Sequence, residues 1–173
     1  MIPTTEIIKA ETYQGYLDLV KENDFRDAID KNTRQFRKLL EAIPRKKYDY
    51  AYAEGKWTLR ELLQHIIDCE RVFAYRALRL ARMDATPLAS FDEVAWGKTM
   101  GGANRRWKDL LEEFKTVRVS TKYLFDSFSD AQLRFVGEAN GRPLNAFTIG
   151  YLIPGHVWHH MKLIRERYLT NRM

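Results

Sequence analysis

The stretch from Thr58 to Met83 reads TLRELLQHIIDCERVFAYRALRLARM, and its pattern predicts one long helix. Thr58 followed by Glu61 is typical of a capping box, in which the threonine hydroxyl and the glutamate carboxylate bind backbone amides of the first turn. Trp57, just before the cap, is placed to pack on Leu62. The helix should therefore begin after Thr58 and end near Met83.

Three further segments repeat apolar side chains at the spacing of amphipathic helices, over residues 24–43, 103–128 and 145–169. A shorter helical piece is predicted at residues 13–20. Asn145 is a candidate N-cap, whereas Pro154 should kink or divide the last helix. No segment shows the sustained alternation of a strand. Four such helices predict an all-α four-helix bundle, with the long connection 84–102 as a binding loop or lid.

Length and composition agree with one domain over residues 1–173 that fills a core, since 45% of the residues are hydrophobic. A single cysteine excludes an intramolecular disulfide and any zinc or iron–sulfur site built from several cysteines. No apolar run reaches the roughly 18–20 residues of a membrane span, and the first residues do not resemble a signal peptide. We therefore expect a cytoplasmic protein without membrane contact.

Three of the four histidines fall in the segment HVWHH, residues 156–160. His156 and His160 are one helical turn apart, so both project from one face, which also carries Ile149 and Leu152. Histidines on an apolar face need partners, because an unpaired buried polar group costs about 1–3 kcal/mol. A divalent metal such as zinc, nickel, copper or iron is one such partner. A hydrogen-bonded pair of core histidines, or histidines lining a pocket without metal, is the alternative.

The remaining histidine, His65, lies on the helix that begins at Thr58. If that helix faces the last one, His65 completes a three-histidine site with His156 and His160, and leaves positions open for water or substrate. His159 should lie to one side, nearer the surface or an interface. Motifs of zinc proteases, nucleotide-binding loops and serine hydrolases are absent from the sequence.

Three neighbours of His65 carry further chemistry. Cys69, one turn on, is either another ligand or a small buried thiol. Asp68 either orients an imidazole or is solvated. Glu70 lies in the apolar stripe, where a carboxylate must be paired or neutralised, with Arg118 and Arg167 as candidate partners. We expect a structural ion pair there, with a catalytic acid as the alternative.

The segment Gly55–Phe73 resembles the GKWS-x-x-E-x-x-x-H-x-x-D-x-E-R-x-F pattern of the DinB-like, damage-inducible superfamily. The sequence GHVWHH at residues 155–160 and ERY at residues 166–168 are similar to that family's GH-x-x-HH and ERY. The resemblance implies an up-down-down-up bundle, a homodimer, and one divalent metal held by His65, His156 and His160. His159 matches a histidine that is not a ligand, and Cys69 departs from the small or hydroxyl residue usual there.

The same resemblance implies a metal-dependent thiol S-transferase or related detoxifying enzyme, with a small-molecule substrate and a low-molecular-weight thiol as co-substrate. Zinc, nickel, iron and manganese are the candidate metals. The alternatives are a metal-dependent hydrolase and a non-catalytic, dimeric stress-response protein that binds metal. A net charge of +6 permits an acidic ligand. Nucleic acid is not an expected partner, because acidic residues interrupt the basic ones.

Overall fold

The computed structural model describes residues 6–8 and 11–170 of the chain. The predicted absence of a signal sequence concerns mostly residues 1–5, which lie outside the described part. The described residues form seven α-helices and two β-strands: α1 (Glu11–Leu17), α2 (Phe25–Glu41), α3 (Leu59–Ala81), α4 (Glu93–Thr99), α5 (Trp107–Asp126), α6 (Asp130–Arg134), β1 (Val136–Ala139), β2 (Arg142–Asn145) and α7 (Ala146–Leu163).

Helix α3 begins at the predicted capping box. The backbone amide of Glu61 donates to the Thr58 hydroxyl, and the Glu61 carboxylate accepts from the backbone amide of Thr58. The helix ends two residues earlier than predicted, at Ala81. Met83 has a φ of 57°, in the left-handed region, which a right-handed helix cannot continue through.

Helix α7 carries two of the three predicted ligands. The Asn145 side chain accepts from the backbone amide of Thr148 at 2.8 Å, which confirms the predicted cap. Pro154 lies inside the helix but does not divide it. The carbonyl oxygen of Pro154 accepts from Asn32 Nδ2 of α2 at 3.3 Å, so a neighbouring helix supports the proline-containing segment. A π-helical turn over Ile164–Tyr168 follows.

The four long helices α2, α3, α5 and α7 form the predicted four-helix bundle. Helix α7 packs against both α2 and α3, and α5 packs against α3 and, less extensively, α2. Helices α2 and α3 therefore lie diagonally opposite each other in the bundle, although they are consecutive among the long helices. This arrangement places α3 beside α7, which brings their histidines together. No helix in the described part combines the length and apolarity needed to cross a membrane.

Two elements differ from the sequence prediction. Strands β1 and β2 form an antiparallel hairpin, with Val136 paired to Asn145 and Ala139 to Arg142. Asn140 and Gly141 have φ values of 56° and 69°, as in a type I′ turn. The prediction of no strands was wrong, because four-residue strands are too short to show alternation.

The long connection predicted at residues 84–102 contains helix α4, which the sequence analysis missed. Asp92 caps it by accepting from the amides of Val94 and Ala95 at 3.0 Å each. The backbone of Leu88 bonds to Glu138 and Asn140 of the hairpin, which holds the first part of this connection. Helix α5 starts at Trp107 rather than at residue 103, because a separate turn occupies Gly102–Asn104.

Candidate metal centre

The structure brings the three predicted histidine ligands together in the bundle core. His65 Nε2 lies 3.3 Å from His156 Nε2, which in turn lies 3.0 Å from His160 Nε2. All three side chains are buried, with 5–7% of each residue exposed. His65 comes from α3, and His156 and His160 come from successive turns of α7. The packing of α3 against α7 therefore creates the cluster.

Burial favours the neutral form of the three imidazoles. Burial lowers the pKa of His65 to about 4, with a smaller contribution from His159. Burial also lowers the pKa of His156 and His160 well below the ordinary value, and the neighbouring histidines act in the same direction. A neutral imidazole keeps a lone pair on one ring nitrogen, which is the form that binds a metal.

Two of the three separations between ring nitrogens suit a divalent ion. Zinc binds imidazole nitrogen at about 2.0–2.1 Å, so two such nitrogens on a tetrahedral ion lie about 3.3 Å apart. The observed separations are 3.3 and 3.0 Å. His160 Nδ1, which is not the nitrogen that faces His156, is buried and has no hydrogen-bond partner among the described residues. The donor set is thus of the right type, and two of its separations suit a metal, with imidazole–imidazole hydrogen bonds as the alternative arrangement.

Cys69 adjoins this cluster. Donor atoms of His65, Cys69 and His156 all lie within 4.8 Å of one another, so a metal could also be held by this group. Sγ lies 3.6 Å from Nδ1 and 3.7 Å from Nε2 of His65. A point almost equidistant from both nitrogens is off the lone-pair axis of each, so the thiol forms no well-directed hydrogen bond to this imidazole. Burial raises the pKa of Cys69 to about 12, so the thiol is protonated in this environment.

The other predicted neighbours have clear contacts. Asp68 accepts from Gln64 Nε2 at 2.9 Å and lies 3.7 Å from Arg71. Glu70 forms a buried ion pair with Arg118, with 2.9 Å between Oε2 and Nη2. The other candidate partner, Arg167, is exposed. The arrangement matches the structural ion pair that we expected.

Two aromatic residues that the sequence did not indicate as neighbours of the histidines pack against them. The Trp57 ring lies 4.6 Å from the His65 ring, and Tyr16 of α1 packs edge-on to His156 at 5.5 Å. Tyr16 also contacts His159 at 5.4 Å, and His159 is exposed as predicted. Trp57 could be noticed in the sequence because it precedes a helix cap. Tyr16 is far from the histidines in sequence, and no motif links it to them.

Two cavities reach the histidine cluster, and a different histidine lines each of them. The larger, of about 570 Å³, includes His156 and Cys69 in its wall, and the smaller, of about 360 Å³, includes His160. Val94 of α4 lines both cavities. The long connection predicted as a binding loop or lid therefore contributes α4 to the walls of both.

Residues 28–164 match the family model described as the DinB superfamily. The chain belongs to the DinB superfamily. The match includes α3 and α7 and therefore all three clustered histidines. No functionally curated protein matches the sequence at a significant level.

A solved structure shares this DinB-like fold. It is YfiT from Bacillus subtilis, described as a probable metal-dependent hydrolase with an unusual four-helix bundle topology. The two chains are 18% identical, the TM-score is 0.69, and the match covers 92% of this chain and 90% of YfiT. At this identity the similarity establishes the DinB-like fold alone.

Proposed function

We propose that this protein is a metal-dependent thiol S-transferase whose divalent ion is held by His65, His156 and His160. The observation that carries the proposal is the pair of cavities that meet the same histidine cluster. A transfer reaction needs room for two organic molecules, whereas hydrolysis needs room for one and a water. Three protein ligands would leave the ion open to a reactant.

The larger cavity suits the thiol. Its wall contains Arg76, Asp92, Glu93, Tyr13 and Tyr16. Charges of both signs match a thiol that carries carboxylate and ammonium groups. A cytoplasmic location is part of the proposal, because that compartment keeps small thiols reduced. A homodimer is proposed as well, on the family resemblance.

The chemistry of the step is a substitution at carbon or the opening of an epoxide. A divalent ion supplies Lewis acidity, which lowers the pKa of a thiol that it binds. The sulfur gives up its proton and forms a bond to the electrophilic carbon. The leaving group departs with its electron pair, or the epoxide oxygen receives a proton, so no oxidant or reductant is consumed. The residues around the cavities would align the two reactants and exclude water.

The proposal is tested with metal-loaded protein, a panel of biological thiols and a model epoxide or halide. Product is measured by mass spectrometry together with the loss of free thiol. We expect His160→Ala to reduce turnover by at least about 100-fold, in line with the loss of a metal-site residue. His159→Ala is the matched control, because His159 is an exposed neighbour on the same helix, and it should retain activity.

Hydrolysis is the second candidate, favoured by the description of YfiT as a probable metal-dependent hydrolase. Here His65, His156 and His160 would hold an ion that would lower the pKa of a bound water. The two candidates differ in their need for thiol. Turnover of an ester or amide without any thiol supports hydrolysis, whereas no turnover with any thiol and electrophile contradicts the transferase.

A further inference from the structure

The smaller cavity has a wall that is mostly aromatic and apolar. Tyr52, Trp57 and Tyr168 line it together with Leu62 and Leu163. Lys56 is the charged side chain of this wall, and His160 of the histidine cluster also belongs to it. At about 360 Å³ the cavity falls in the lower part of the range of small-molecule sites. Since an engineered cavity of about 150 Å³ holds a benzene molecule, a substituted ring fits here.

The aromatic wall is held in place by contacts among its own residues and with His65 and Gly97. The Tyr168 hydroxyl donates to the Trp57 carbonyl oxygen at 2.7 Å, and the Tyr52 ring packs edge-on to Tyr168 at 5.0 Å. His65 covers the Trp57 ring at 4.6 Å. Gly97 of α4 leaves space for this indole, because a Cβ there would lie 2.8 Å from Nε1. A wall held this firmly is preorganised, which reduces the entropy cost of binding.

We propose that the smaller cavity binds a planar aromatic group with an anionic substituent. The ring packs among Tyr52, Trp57 and Tyr168, and the anion pairs with the Lys56 ammonium. This proposal rests on the proposed function in one respect. It takes the ligand of the smaller cavity to be the electrophilic substrate of the transferase. The wall residue His160 places that ligand next to the proposed metal centre.

The test measures binding of small probes to the full-length protein by NMR, without thiol and without turnover. Phenylacetate is the main probe, cyclohexylacetate has the same charge without a planar ring, and benzyl alcohol has the ring without the charge. We expect phenylacetate to shift the indole N–H signal of Trp57 in a saturable way. Cyclohexylacetate and benzyl alcohol should each bind at least about fivefold more weakly, because each lacks one of the two contacts.

Three variants locate the site. Tyr52→Leu should weaken phenylacetate binding at least about fivefold, whereas Tyr13→Leu, in the wall of the larger cavity, should not change it. Lys56→Met should weaken phenylacetate binding and leave benzyl alcohol unchanged. Because Lys56 is exposed, this variant keeps the fold.

Each contrary result overturns a defined part of the proposal. Absence of saturable binding, or sensitivity to Tyr13→Leu instead of Tyr52→Leu, overturns the site. Equal affinity for phenylacetate and cyclohexylacetate overturns the aromatic class, and insensitivity to Lys56→Met overturns the anionic substituent. Phenylacetate binding in a protein that transfers no thiol contradicts the transferase alone and leaves the aromatic site standing.

Discussion

Replacing Arg118 by methionine should destabilise the protein severely, because it leaves the Glu70 carboxylate buried without its partner. Glu70 and Arg118 link α3 to α5, with side chains 2% and 1% exposed and 2.9 Å between Oε2 and Nη2. Breaking such a buried pair from one side costs about 3–5 kcal/mol. Natural domains have a free energy of unfolding of about 5–15 kcal/mol, so this loss is a large share of the total.

The assay is urea unfolding followed by circular dichroism, with thermal melting as a second measure. For a chain of this length each kcal/mol corresponds to about 2–4 °C, so Arg118→Met should lower the melting temperature by roughly 6–20 °C. Lys122→Met is the matched control on the same helix. Lys122 pairs with Asp30 at 2.5 Å, but both side chains are about 40% exposed, and such a pair contributes at most about 1 kcal/mol.

The double variant Glu70→Met with Arg118→Met separates the effect of losing the ion pair from the effect of changing the side chain at each position. Removing both charges leaves no unpaired group, so the double variant should be more stable than Arg118→Met alone. The reasoning is refuted if Arg118→Met stays within about 1 kcal/mol of the parent. It is also refuted if the two single losses simply add, because the charges would then not interact.

Three further predictions concern the site and its support. Gly155→Ala should destabilise the protein by roughly 1–3 kcal/mol, because the new Cβ would clash with the Tyr16 carbonyl oxygen. Gly15→Ala is the control, since its Cβ would meet nothing within 4 Å, and equal urea midpoints for the two variants would contradict the prediction. In metal-free protein, the free energy of unfolding should fall as pH decreases from about 6.5 to about 4, since the unfolded chain binds protons that the buried, neutral His65 does not bind. His65 contributes a loss on the order of 3 kcal/mol and His156 and His160 add to it, so urea titrations of His65→Leu should show a smaller loss; an unchanged loss would contradict the reasoning. Elemental analysis of untagged protein should find about one divalent ion per chain, and chelation should lower the melting temperature; finding neither contradicts the metal site.

The sequence alone determined the long helices. Thr58 with Glu61, and Asn145 before α7, set helix starts by local hydrogen bonds, so these could be predicted without tertiary contacts. The spacing of His156 and His160 likewise fixed a shared helix face. The short strands and α4 were missed, because seven or fewer residues give no reliable period.

Only the tertiary structure decided which distant residues meet. Packing of α3 against α7 brings His65 within 3.3 Å of His156, 91 positions further along the chain. Packing of α3 against α5 selects Arg118, and not Arg167, as the partner of Glu70. The two cavities depend on how α1, α4 and the turn after α7 cover the bundle end. Periodicity defines the face of each helix, but which faces meet depends on the packing of the whole bundle.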